Sequence, residues 1–305
     1  MKSVAIIGTG LIGASFGLGL RKAGFEGPIW GVSSAGAVKE ALAVKAIDRA
    51  APLAEAAAEC DLLFLAQPIG RILDTIRHLN PLVRPEALVT DAGSTKCEIA
   101  DLALREITRC RFLGGHPMAG KEKRGAAAAE AGLFRGATAA AEAGLFRGAT
   151  WVLTPEEPGD LASTQAKDFV HWLHKLGAKP VRMDPEEHDR VVSLTSHLAQ
   201  LASTALAAAV AENLQPAERL AVAGPGLMDM TRLALSSYDL WRDILATNSE
   251  PIDRALGAYI QKLEYVRENL RTRQLQREFQ RGAELAARLR EAVAGDARVP
   301  NDKLG

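Results

Sequence analysis

The sequence predicts an α/β, doubly wound sheet of Rossmann type followed by an all-α helical domain, on three observations. Short apolar runs alternate with amphipathic helical segments through the first half of the chain. The first run, Val4-Ala5-Ile6-Ile7, leads straight into Gly8-Thr9-Gly10-Leu11-Ile12-Gly13. After Asp184-Pro185 the strand-like runs stop and only helical periodicity continues. A chain of 305 residues exceeds one ordinary core, so it divides into residues 1–184 and residues 185–305.

The strands follow from composition. Val4–Ile7, Ile29–Val32, Leu62–Leu65, Ala87–Thr90 and Phe112–Leu113 are near-continuous apolar stretches, as a parallel sheet covered on both faces requires. Trp151–Thr154 and Pro180–Met183 continue the pattern, with a helix over 160–176 between them. In the second half, Val191, Val192, Leu194, Leu198, Leu201 and Leu206 describe a long apolar helix that Gly224-Pro225-Gly226 ends. Periodicity returns at Ile252, Leu256, Ile260, Leu263 and Leu270. A helical domain this apolar is expected to pack against a second copy, making a homodimer.

The bulk numbers exclude several classes. Lys plus Arg and Asp plus Glu balance at 37 each, so no net field favours nucleic acid or an anionic membrane. Hydrophobic residues at 48% and charged residues at 24% are ordinary for a soluble globular protein. Cys60, Cys97 and Cys110 are odd in number and show no C-x-x-C spacing, so reduced thiols in a cytoplasmic protein are expected, with no metal site. No membrane span and no signal peptide are anticipated.

The chemistry concentrates in four places. Gly8, Gly10 and Gly13 fit a dinucleotide fingerprint, with Thr9, Leu11 and Ile12 between them, because a strand precedes and a helix follows. The second strand ends in Ser33-Ser34 instead of the carboxylate that binds an NAD ribose, which favours NADP over NAD. Gln67-Pro68 and Asp91-Ala92-Gly93-Ser94-Thr95-Lys96 leave later strands at the same edge, and Ser94 is either a helix cap or a hydroxyl beside the nicotinamide. Gly114-Gly115-His116-Pro117-Met118-Ala119-Gly120 reads as a rigid site loop holding an imidazole that can exchange a proton near neutral pH. His188 reads as a capping or surface residue. His197, on the apolar face of the long helix, is either a core or a pocket residue. Arg232, after the glycine turn, has the fork geometry for a substrate carboxylate.

One oddity is a tandem repeat: residues 127–138 recur unchanged as 139–150. Twelve residues leave a helix about 120° out of phase, so one copy is expected to loop out at the surface.

Together these motifs resemble the prephenate/arogenate dehydrogenase family of tyrosine biosynthesis. The resemblance rests on the fingerprint, on Asp91–Lys96, on Gly115-His116-Pro117-Met118-Ala119-Gly120, on Ser196-His197-Leu198, and on Asp229–Arg232 with Trp241-Arg242-Asp243. It implies oxidative decarboxylation of a cyclohexadienol with hydride transfer to NAD(P), and an all-α dimerisation domain. It assigns His116 and Ser94 to catalysis. Arg232, His197, Gln200, Glu122 and Trp241 fall to the substrate. Many prephenate-using members carry histidine where this chain has Gln200, so arogenate stands as the alternative to prephenate. A β-hydroxyacid dehydrogenase would need a lysine on the long helix, and none occurs from Glu186 to Leu214. A non-enzymatic NAD(P)-sensing module would not need His116, Ser94 and Arg232 together.

Overall fold

A computed structural model describes residues 1–119, 148–157, 159–214 and 217–295. Among these residues, eight strands form one sheet in the order β3-β2-β1-β4-β5-β6-β7-β8. The central strands are β1 (Val4–Ile7), β4 (Leu62–Leu65) and β5 (Leu88–Asp91), buried at every residue. Their side chains alternate between two cores: Ile6 and Phe64 join one with Phe16, Trp151 and Phe169, whereas Ile7 and Leu65 join the other with Ile72, Ile76 and Ile99. Helices cover both faces: α1 (Leu11–Lys22), α2 (Ala35–Ala43), α3 (Leu53–Glu59), α4 (Ile69–Leu79), α5 (Cys97–Glu106) and α6 (Thr164–Lys175). The chain reverses direction across the sheet between β1 and β4, the place where such sheets bind ligands.

Two strands differ from expectation. Strand β3 (Arg49–Ala50) extends the sheet beyond β2 (Ile29–Val32) and is too short to show any periodicity. Strand β6 (Arg111–Pro117) does not stop at Leu113. It pairs in parallel with β5 as far as Leu113, then antiparallel with β7 (Thr150–Thr154), which sets His116 opposite Val152. His116 therefore belongs to a strand end and not to a loop. The two glycines before it permit close packing: a Cβ at Gly114 would meet Thr154 Oγ1 at 2.2 Å, and one at Gly115 would meet the Asp91 carbonyl at 2.8 Å.

After β8 (Lys179–Arg182) the described chain is helical: α7 (Pro185–Val192), α8 (Leu198–Asn213), α9 (Pro225–Thr231), α10 (Tyr238–Thr247), α11 (Ser249–Glu268) and α12 (Gln276–Gly295). The expected long helix is interrupted by a π-helical turn, Ser193–His197, a feature common at functional sites. Against expectation, the run Pro185–Asn213 is long and apolar enough to cross a bilayer, by length and composition alone. It belongs to a half that leaves Met228, Leu235, Tyr238, Phe279 and Leu289 exposed.

The two halves are joined by hydrogen bonds at helix ends. Pro68 and Lys96, the residues before α4 and α5, supply no side-chain cap. Asp243 on α10 accepts the Gly70 N–H at 3.0 Å, and Asp189 on α7 accepts those of Lys96 and Cys97 at 2.7 and 2.9 Å. Thr95 and Thr247 share a further bond of 2.7 Å.

Candidate active site

The fingerprint turn lies at the C-terminal end of β1. Gly8 sits at φ +99°, and a side chain there would press on the Ala66 carbonyl at 2.4 Å. A Cβ at Gly13 would lie 2.0 Å from the Gly8 carbonyl oxygen, so α1 meets the turn only because residue 13 has none. At Gly10 a Cβ would find no protein atom within 4 Å. Gly10 is the N-cap of α1, whose first turn has neither a side-chain cap nor an acid. Free N–H groups beside open space fit the pyrophosphate of a dinucleotide. Around them Thr9 is fully buried, and Leu11 and Ile12 pack on the core.

The same edge holds the other cofactor candidates. Ser33 and Ser34 are exposed directly after β2, and Ser34 caps α2 by accepting the Ala37 N–H at 3.4 Å. Gln67 accepts a 2.8 Å bond from Thr75 and is followed by Pro68 at the head of α4.

His116 lines a cavity of about 680 Å³ together with Ser94, His197, Gln200 and Trp241. Its Nδ1 lies 2.8 Å from His188 Nε2, and His188 Nδ1 lies 2.7 Å from Asp189 Oδ1. Burial would raise the Asp189 pKa, but bonds from His188, Cys97 and Lys96 hold it below the usual carboxylate value. The His116 pKa is pushed well below the ordinary histidine value by burial, then by His188, Lys96 and His197. The imidazole is thus unprotonated at neutral pH, as a base must be.

Beneath the cavity lies a fully buried ion pair, Lys96 with Asp91. Lys96 Nζ also donates to the Gly115 carbonyl at 2.8 Å, while Asp91 accepts the N–H groups of Gly93 and Gly115 at 2.7 and 3.0 Å. These bonds lock the turn carrying Ser94 to the strand carrying His116. Ser94 does not cap α5, because Asp189 does. Ser94 lines the cavity instead.

The remaining candidates divide. His197 is buried at 2% exposure, bonds to Asn248 at 3.1 Å, and meets the Trp241 ring edge-on at 5.7 Å. Burial brings its pKa down to about 4, further lowered by His188 and opposed by Asp189. Gln200 donates to the Leu233 carbonyl at 2.8 Å and to Thr204 at 3.2 Å. The Trp241 indole N–H is buried with no partner among the described residues. Arg232 is not brought to this cavity within one chain: it is exposed on the turn Arg232–Leu235, while its neighbour Leu233 lines the cavity. Glu122 and residues 127–147 of the repeat lie outside the described residues.

Comparison with known proteins decides the family. The model for the nucleotide-binding domain of prephenate dehydrogenase matches residues 16–140, and that for its dimerization domain matches residues 184–288. The prephenate dehydrogenase of Bacillus subtilis is 32% identical over 275 residues, covering 87% of this chain and 69% of that enzyme. The chain belongs to the prephenate dehydrogenase family. The Lactococcus lactis enzyme is 34% identical over 255 residues, or 82% of this chain and 66% of its own length. This chain therefore spans about two thirds of these relatives. Among solved structures, Aquifex aeolicus prephenate dehydrogenase with hydroxyphenyl propionate and NAD+ superposes with a TM-score of 0.83 at 26% identity, covering 96% of this chain and 98% of that one. Synechocystis arogenate dehydrogenase gives 0.74 at 29% identity, with coverages of 95% and 99%.

In this family member, sequence reasoning missed His188. It is fully buried, not a surface or capping residue. The available signal was His188-Asp189, two polar residues three and four positions after Pro185 and just ahead of Val191-Val192. Such a pair at a helix start normally faces water, and only the docking of α7 on α5 turns it inward. Asn248, which joins Asp189 to His197, carried no sequence signal.

Proposed function

We propose that this protein catalyses the NAD(P)-linked oxidative decarboxylation of prephenate to 4-hydroxyphenylpyruvate, in tyrosine biosynthesis. The observation that carries the reading is His116 linked through His188 to Asp189, in one cavity with Ser94. His116 Nε2 takes the proton from the ring 4-hydroxyl, and Ser94 orients that hydroxyl. When bound, the nicotinamide supplies the acceptor for the hydride leaving the same carbon. Loss of CO2 then makes the ring aromatic, so the step does not reverse. Gly8, Gly10 and Gly13 with the N-terminus of α1 would hold the pyrophosphate, and Gln67-Pro68, at the same sheet edge, would border the cofactor. Trp241 walls the ring site; the family resemblance assigns Arg232 and Glu122 to the substrate's charged groups.

One observation favours a second substrate. Gln200 directs both amide hydrogens to Leu233 and Thr204, so its carbonyl oxygen is left to accept. An acceptor suits the ammonium of arogenate better than the ketone of prephenate. The relatives named above favour prephenate. For the cofactor, NADP is preferred: no carboxylate follows β2 to repel a 2′-phosphate, and exposed Ser33 and Lys39 lie close. The exposed apolar side chains of the helical half support a homodimer. Three unpaired cysteines, their thiols raised to about 11 or 12 chiefly by burial, suit a reducing cytoplasm.

Initial rates of NADH or NADPH formation with prephenate and with arogenate test the reading. The fastest combination is expected to be prephenate with NADP. No reduced cofactor from any of the four would refute it.

A further inference from the structure

We propose that Asp189 polarises the two cavity imidazoles in opposite senses: through His188 it leaves His116 with a bare Nε2 that accepts, and through Asn248 it leaves His197 with an Nε2–H that donates. This deepens the reading of His116 as the base, on which it rests, by stating what makes that imidazole an acceptor.

The first arm starts at the Asp189 carboxylate. It receives the Lys96 and Cys97 N–H groups and has no proton to give, so His188 Nδ1 must carry the hydrogen in their 2.7 Å contact. The scheme gives His188 this one ring hydrogen, so its Nε2 offers only a lone pair. His116 Nδ1 lies 2.8 Å from it, and two lone pairs at that distance would repel. His116 therefore carries its hydrogen on Nδ1, and Nε2 is left bare. When Nε2 gains a proton, the Nδ1 hydrogen strengthens its bond to His188, and the new positive charge faces Asp189 through that ring. Both arms are anchored in the helical half, whereas His116 stands on β6, so its tautomer depends on the docking of the two halves.

The second arm starts at the Asp189 main chain. A carbonyl oxygen can only accept, so the 2.9 Å contact fixes which end of the Asn248 amide is the NH2. The other hydrogen of that NH2 points to His197 Nδ1 at 3.1 Å, which must be the accepting nitrogen. The hydrogen of neutral His197 is thereby confined to Nε2. His188, Asp189 and Asn248 are positioning residues in this scheme. A donor and an acceptor imidazole in one cavity suit a substrate presenting a hydroxyl to be deprotonated and an oxygen to be held.

Nitrogen-15 spectra of histidine-labelled protein read the tautomers directly. The chain has six histidines, and His116→Asn and His197→Asn assign the two that matter. The wild-type protein is expected to show hydrogen on Nδ1 of His116 and on Nε2 of His197. Hydrogen on Nε2 of His116, or on Nδ1 of His197, overturns the proposal, and this spectrum alone decides it if a variant fails to fold. Asn248→Asp replaces the donor with an acceptor and is expected to move the His197 hydrogen to Nδ1 while leaving His116 unchanged. His188→Leu removes the acceptor for His116 Nδ1; its hydrogen is expected to shift to Nε2, and kcat to fall at least about tenfold. An unmoved tautomer in either variant contradicts the corresponding arm. The spectra need no turnover, so their failure is distinct from failure of the base assignment.

Discussion

At the scale of single residues, burial fixes the charge state of the site. His197 is held neutral, with its pKa brought down to about 4 chiefly by burial. The unfolded chain binds a proton at this residue below the ordinary histidine value, and the folded protein does not until about pH 4. Stability from this group is therefore fully present above that ordinary value and falls as pH drops toward 4. Urea denaturation midpoints should decline from about pH 7 to about pH 5, and His197→Gln should decline less over that range. Equal declines in the two proteins would show that His197 is not held neutral. His116 was legible as a candidate base from its motif, but its surroundings were not. The groups that lower its pKa, His188, Lys96 and His197, come from two other segments of chain.

At the scale of elements, α4 and α5 obtain their caps from the other half of the molecule. Pro68 and Lys96 precede them without a usable acceptor, and Asp243 and Asp189 provide one across the domain boundary. Asp243→Ala should destabilise the protein by about 1 kcal/mol and speed hydrogen exchange in the first turn of α4. Unchanged exchange there would mean that the contact is incidental. Strands β1, β4 and β5 could be read from sequence because burial on both faces demands unbroken apolar runs. Strand β3, with two residues, offers no pattern to read. The extension of β6 through His116 was hidden because glycine and proline signal a turn, whereas Gly114 and Gly115 here let neighbouring strands approach.

At the scale of the whole molecule, the order of strand–helix alternation followed by helices was legible, because the hydrophobic period changes at Pro185. The docking of the two halves was not legible, since it depends on contacts between residues far apart in sequence, such as Lys96 with Asp189. That docking builds the cavity: the first half contributes Ser94 and His116, and the second contributes His197, Gln200 and Trp241. The central claim is that His116 is the base acting on the substrate hydroxyl in this shared cavity. Steady-state kinetics of His116→Asn with prephenate test it most directly. The predicted result is a fall in kcat of about a thousandfold with little change in KM. Turnover near that of the unaltered enzyme would contradict it.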